Sequence, residues 1–263
     1  MNFIQKLIGR GNSGKKNPIE IRESDVFLVS YPKSGNTWLR FLIGNYLSKG
    51  EMDFSNGHIY MPDIHYNPEQ IEKIVFHPRF IKSHFSFKPE YKNVIYLVRD
   101  GREVAVSLYY FLVKMKVLKK DIEFSDYLEN YFYTGKTPFG HWNKHIFSWL
   151  RDNKPQNLMV VKYEDLIADT MNEFEKIINF SGLILDKEIL RIAVDRSSFD
   201  SMKKDEELNT KVLNELGHDT TDTTYRIIRA GRTNSWQMKF TIDESKKFLD
   251  LYGDALEFLG YSK

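Results

Sequence analysis

The stretch "DVFLVSYPKSGNTWLRFLIGNYL", residues 25–47, decides the fold. "DVFLVS" is a compact apolar run bounded by polar residues, the pattern of a buried parallel strand. "YPKSGN" reads as a turn, and Thr37 to Leu47 then carries apolar residues at helical spacing. Strand, glycine-containing turn and helix start gather backbone N–H groups and the positive end of the helix dipole at one point, which makes an anion site. Lys33 adds a mobile positive charge, and Ser34, Asn36 and Thr37 add short hydrogen-bonding side chains. Lys33 precedes Gly35, whereas the phosphate loop of an ordinary ATPase ends in Gly-Lys-Ser/Thr. A plain tight turn is the alternative, and the loop alone does not name its anion. A second glycine-rich run, "GRGNSGKK" at residues 9–16, fails on context. No strand precedes it, and "KNP" after it resists helix formation.

Further short apolar runs recur at "RFIKSH" from Arg79, "NVIYLVRD" from Asn93 and "NLMVVKYED" from Asn157. Helix-like stretches separate or follow them, from Arg102, His141 and Met171, with Gly182 as a helix stop. A last amphipathic helix carries Phe248, Leu249, Leu256 and Leu259. Strands alternating with helices predict an α/β fold: a single domain over residues 21–263 with a central parallel sheet flanked by helices. Residues 1–20 read as a mobile basic leader. The polar tract from Lys203 to Arg226 reads as a lid or a solvated surface segment.

Three groups of residues fall at strand ends, where open α/β sheets bind ligands. Lys82 and His84 of "IKSH", two apart on a strand, share one face. Together they suit general-base catalysis beside a stabilising cation. Arg99 ends the strand of "VRDGREVAVS", and its guanidinium suits bidentate contact to phosphate, with Ser107 one to two turns into the next helix. In "IRAGRTNSW", Arg229 and Arg232 flank Gly231, which lets backbone approach an anion closely. Each group alone has a bland reading as a structural histidine, a surface arginine or a charged turn. Four basic groups and an anion-binding helix end together suggest a ligand with two separated phosphate-like groups.

Composition sets the outer limits. The chain has 263 residues, room for one large α/β domain or two small ones. A net charge of +2 gives no support to nucleic-acid coating. No cysteine is present, which removes disulfides and thiol chemistry and fits a cytoplasmic location. No segment has the apolar length of a membrane span.

These motifs, in this order from residue 30 to about 240, resemble the sulfotransferase family that uses 3′-phosphoadenosine 5′-phosphosulfate, PAPS, and most of all its soluble cytosolic type. "YPKSGNTW" looks like that family's 5′-phosphosulfate loop, "VRDGREVAVS" like its 3′-phosphate site and "IRAGRTNSW" like its C-terminal arginine–glycine loop. The resemblance implies the P-loop nucleotide-kinase-like sulfotransferase fold, with PAPS as donor and adenosine 3′,5′-bisphosphate, PAP, as product. It implies that Lys33 helps the leaving phosphate depart and that Ser34, Gly35, Asn36, Thr37 and Trp38 hold the 5′-phosphate with their backbone and the Thr37 hydroxyl. Arg99 and Ser107, joined by Arg229, Ala230 and Gly231, would bind the 3′-phosphate. Trp38 would stack on adenine, with Ser198 and Phe199 of "SSFDSMKK" opposite, Met202 nearby and Tyr163 at the adenine end. His84 would be the general base, Lys82 would stabilise the transferring group, and Ser107 would stand with the catalytic set. Sulfuryl carries less charge than phosphoryl, so no metal requirement is expected.

The chain departs from the family at Asn36, Ala230 and Ser235, where relatives often have Thr or Gly, Lys and Asp. A Lys-x-x-x-Thr-Val-x-x-x-Glu dimer segment of many cytosolic relatives is here "QMKFTIDESK", with Gln237 and Lys246 at its charged ends, so the oligomeric state stays open. A magnesium-dependent kinase using Asp100 and a non-catalytic nucleotide-binding module are the rival readings. The acceptor is a small molecule: a phenol, sugar, peptide natural product, alkaloid or amine. "MPDIHYNPEQIEKIVFHPRF" and "FYTGKTPFGHWNKHIFSW" are expected to line its pocket, with Tyr133, Phe139, His141 and Trp142 in the wall.

Overall fold

The computed structural model describes residues 19–215, 220, 226–228 and 235–262. Four strands, β1 (Val26–Ser30), β2 (Phe80–Ser83), β3 (Asn93–Val98) and β4 (Asn157–Lys162), form an all-parallel sheet in the order β2-β1-β3-β4. From β1 the chain runs to the neighbour on one side, then crosses to the other side of β1. This reversal of strand order is where α/β sheets open a crevice at their carboxyl ends.

The helices follow in chain order. α1 is Asn36–Ser48, α2 Gly57–Tyr60, α3 Gly101–Lys114, α4 Phe124–Tyr127, α5 Trp142–Leu150 and α6 Tyr163–Ala168. α7 is Thr170–Phe180, α8 Lys187–Arg196, α9 Phe199–Leu208, α10 Thr210–Glu215 and α11 Ile242–Phe258. α7 ends before Gly182, whose φ of +72° is the left-handed conformation expected of a helix stop. Thr241 and Glu244 form a reciprocal capping box at the start of α11.

Alternating strand residues feed two cores, one on each face. Phe27, Val29, Val94, Tyr96 and Val98 pack on one side with Trp142, Trp149, Phe248 and Leu256, so α11 closes this layer. Val26, Leu28, Phe80, Ile95 and Leu97 pack on the other with Leu39, Leu42, Phe174, Ile177 and Leu190. Burial on both faces explains why these strands read as continuous apolar runs. Residues 1–18 of the expected leader lie outside the described residues. Ile19 already packs against the first core, and the Glu20 carbonyl accepts from the Arg79 guanidinium at 2.7 Å.

Arg79 enters β2 with its guanidinium buried and makes two bonds of 2.7 and 2.8 Å to the Asp25 carboxylate, which is itself fully buried before β1. Removing one partner leaves an uncompensated buried charge. Asp25→Ala is expected to lower unfolding free energy by about 3–5 kcal/mol, read as a lower urea midpoint at unchanged slope.

Candidate active site

The loop after β1 makes a sharp turn. Lys33 sits at φ +73° and Gly35 at φ +100°, and α1 begins at Asn36, one residue ahead of the Thr37 start expected from spacing. A Cβ on Gly35 would lie 2.3 Å from Tyr163 Cδ2, so only glycine fits there. Asn36 donates to the Ser30 hydroxyl at 3.0 Å, tying the helix start to the strand end. Ser34 Oγ and Asn36 Oδ1 are buried without a hydrogen-bond partner among the described residues. Orphaned polar atoms beside a helix N-terminus fit an anion that would satisfy them.

Arg99 follows β3 and is buried, with Cζ 4.3 Å above the Tyr163 ring and Nη1 3.5 Å from the Lys33 carbonyl. Glu103, one turn into α3, accepts from Arg99 Nη2 at 3.1 Å. The same carboxylate accepts from the Ser235 hydroxyl at 2.8 Å and the Trp236 N–H at 2.9 Å. It therefore joins the 3′-phosphate candidate to the C-terminal end of the arginine–glycine loop. Glu206 of α9 is buried and accepts from the backbone N–H groups of Ile227 and Ile228 at 2.7 and 3.1 Å, at the loop's other end. Arg229, Ala230, Gly231 and Arg232 themselves lie outside the described residues.

Lys82 and His84 stand at the carboxyl end of β2. His84 Nδ1 is 2.8 Å from the Ser30 carbonyl, which can only accept, so Nδ1 carries the proton and Nε2 keeps its lone pair. The His84 backbone N–H donates to His65 Nε2 at 2.9 Å, and its carbonyl lies 3.2 Å from His145 Nε2. Burial, then the positive charge of Lys82, holds the His84 pKa well below the ordinary histidine value, outweighing the opposing pull of Asp63. The ring is thus neutral around pH 7, as a base must be.

One cavity of about 670 Å³ collects these parts. Its lining includes Lys33, Gly35, Asn36, Thr37, Trp38, Lys82, His84, Arg99 and Ser107. Tyr163, Ser197, Ser198, Phe199 and Met202 line it as well. Trp38 is fixed by its indole N–H to the Ser197 carbonyl at 2.9 Å and meets Tyr163 edge-on. Trp38 and Phe199 on this one lining provide flat apolar surface for a base.

The expected acceptor wall needs correction. Phe139 lines the cavity, but Tyr133, His141 and Trp142 do not. Trp142 is fully buried against Phe248 and Tyr252, and Tyr133 packs on the same pair and donates to the Glu244 carbonyl. His141 precedes α5 and lies against Gly135. Arg40, Phe54, Asp63, Tyr66, Phe111 and Leu213 line the cavity beside Phe139. Asp63, Tyr66 and Asn67 do come from the expected "MPDIHYNPEQ" segment. Of the tract expected as a lid, Lys203–Leu208 finishes α9 and Thr210–Glu215 forms α10, which offers Val212 and Leu213 to the cavity. Asp100 is not free to hold a metal as the kinase reading needs: it caps α3 through the Arg102 N–H at 2.8 Å and pairs with the Arg102 guanidinium at 2.7 Å.

The sulfotransferase domain model matches residues 23–260. The chain belongs to the PAPS-dependent sulfotransferase family. It is 31% identical over 250 residues to 3-alpha-hydroxysteroid sulfotransferase of Cavia porcellus, covering 90% of this chain and 85% of that one. Sulfotransferase 2A1 of Homo sapiens is equally similar, 31% with the same coverage. Among solved structures, retinol dehydratase with androsterone and inactive cofactor PAP has a TM-score of 0.73 at 21% identity, covering 93% of this chain and 84% of that one. Mouse sulfotransferase SULT7A1 complexed with PAP has a TM-score of 0.67 at 24% identity, covering 96% and 90%. The α/β fold with its central parallel sheet is therefore the sulfotransferase fold, and the enzyme moves a sulfuryl group from PAPS to a small-molecule acceptor.

Proposed function

We propose that this sulfotransferase acts on an alcohol carried by a flat apolar body, a hydroxysteroid being the model acceptor, with His84 as base and Lys33 and Lys82 as the cations at the reacting group. One observation carries the reading: the anion loop, Arg99, Ser107 and the Lys82–His84 pair all line a single cavity, with Phe54, Phe111, Phe139 and Leu213 supplying an apolar wall. The relatives named for hydroxysteroids support the acceptor class.

In this reading PAPS supplies the sulfuryl group. The α1 N-terminus and Ser34 hold its 5′ end, and Arg99 and Ser107 its 3′-phosphate, with Arg229 and Gly231 joining them as the family resemblance implies. His84 Nε2 takes the hydroxyl proton as the oxygen–sulfur bond forms. Lys82 neutralises charge on the transferring oxygens, and Lys33 offsets the charge that builds on the departing oxygen. Positioning and electrostatics supply the catalysis, as in phosphoryl transfer. The same proposal places the enzyme in the cytoplasm and working without the family's C-terminal dimer contact, since Gln237 and Lys246 replace its charged ends.

The test is thermal stability with PAP against ATP and magnesium at matched concentrations, followed by mass spectrometry of hydroxysteroids incubated with PAPS. A ligand at about 100 times its dissociation constant stabilises by about 2.7 kcal/mol. A shift with PAP alone and a sulfated steroid support the reading. A shift only with ATP and magnesium overturns the donor site, and sulfation of polar sugars or amines in place of steroids overturns the acceptor class.

A further inference from the structure

The segment before β2 reaches the reaction centre by an unusual route. Pro62 to Ile64 runs alongside β2 as a short parallel bridge: Lys82 N–H donates to the Pro62 carbonyl at 2.9 Å, and Ile64 N–H donates to the Lys82 carbonyl at 3.0 Å. This pairing sets the Asp63 side chain beside that of Lys82. Asp63 Oδ2 accepts from Lys82 Nζ at 2.6 Å, and both side chains are largely buried while lining the cavity. The other oxygen, Oδ1, accepts from the His65 N–H at 2.9 Å. The Asp63 backbone closes the turn, its N–H donating to Asn67 Oδ1 at 2.6 Å and its carbonyl accepting from the N–H groups of Tyr66 and Asn67. The carboxylate is thus held by its own turn and does not depend on Lys82 for its position.

We propose that Asp63 is a positioning residue for sulfuryl transfer: it latches the Lys82 ammonium beside His84 and supplies the negative charge that balances it there. The inference rests on the proposed roles of Lys82 and His84. An ammonium has three N–H donors. One goes to Asp63, leaving two for the transferring group. A free lysine side chain samples many rotamers, and the latch removes that freedom before the reaction. It fixes a charge where an unanchored lysine would have to find its place in the transition state.

The balance of charge makes the role measurable. Around His84 stand Lys82 from the strand it follows, Asp63 and His65 from the turn, and His145 from α5. Around Asp63 stand Lys82, Arg40 from α1, and the Tyr66 phenol. Burial works against the Asp63 carboxylate, but Lys82, His65 and His84 outweigh it and hold its pKa below the usual range. Asp63 raises the His84 pKa while Lys82 lowers it. Removing the carboxylate therefore drives His84 further down.

The experiment is Asp63→Asn, with Asp63→Glu, Lys82→Met and the double variant, assayed from pH 5 to 9 with PAP affinity measured on each. Asp63→Asn is expected to lower kcat about tenfold to hundredfold, to leave PAP affinity within about twofold, and to shift the acid limb of kcat/KM to lower pH. Asp63→Glu should regain part of kcat. In the Lys82→Met background Asp63→Asn should cost almost nothing more, because the latch has nothing to hold. An unchanged limb with an undiminished loss in the Lys82→Met background would overturn the proposal, as would full activity of Asp63→Asn. Full activity of Lys82→Met would sink the proposed role of Lys82 on which this inference rests, whereas a large loss in Lys82→Met beside full activity of Asp63→Asn would sink the latch alone.

Discussion

Replacing His84 with alanine is expected to lower kcat by about 10²–10⁴-fold, the range of a positioned general base, while PAP affinity stays close to that of the unmutated enzyme. The separation follows from geometry. His84 Nδ1 bonds Ser30 at the end of β1, and its main chain is held by His65 and His145, so the side chain makes no hydrogen bond to Lys33–Trp38 or to Arg99. Its Nε2 is the nitrogen left to accept a proton. The pH dependence has a definite sign. Because burial and Lys82 depress the His84 pKa, kcat/KM should stay flat through neutrality and fall only as pH drops well below 6.5, through the folded-state value. The alanine variant should lose that acid limb. Steady-state kinetics and PAP titration on one preparation check both parts. Equal losses of turnover and PAP affinity would assign His84 to nucleotide binding and leave the base unidentified.

What was readable in the chain depended on how local each feature is. The β1–α1 unit is contiguous, so periodicity and turn chemistry gave its place and its anion site together. Lys82 lies in β2 and His84 directly follows it, and Arg99 and Ser107 flank one strand–helix junction, so spacing pointed to both pairs. Asp63 gave no such signal. It meets Lys82 through a backbone bridge across 19 residues, and nothing in "MPDIHY" marks which side chain will turn inward. Glu103 looks like any polar residue in a first helical turn; its worth comes from Ser235 and Trp236, more than 130 positions away. Tyr133 and Trp142 failed for the opposite reason. Aromatics suit a ligand wall and a core equally, and only the return of α11, with Phe248 and Tyr252, makes them core.

Gly35→Ala should weaken donor binding more selectively than its size suggests. Two costs add at this position. An L-residue at φ +100° carries left-handed strain of about 1–2 kcal/mol. The new methyl would also lie 2.3 and 2.7 Å from Tyr163 Cδ2 and Cε2. The Tyr163 ring has little room to yield, with the Arg99 guanidinium 4.3 Å from its face and Trp38 meeting it edge-on at 5.7 Å. Relief must come from moving the loop, Arg99 or Trp38, and each of these lines the cavity where the donor is proposed to bind. Overpacking of this kind costs about 1–3 kcal/mol. If about 2.8 kcal/mol of the total falls on the donor-competent geometry, PAP affinity drops about 100-fold. Gly182→Ala is the control. It carries a similar left-handed φ of +72° but meets no atom within 4 Å, on the loop after α7. It should lower stability by about 1–2 kcal/mol and leave PAP titration unchanged. Thermal melts of both variants, with and without PAP, separate the two contributions. Melts of Gly35→Ala that still rise with PAP as the unmutated protein's do would show that the β1–α1 turn is not where the donor's 5′ end is held.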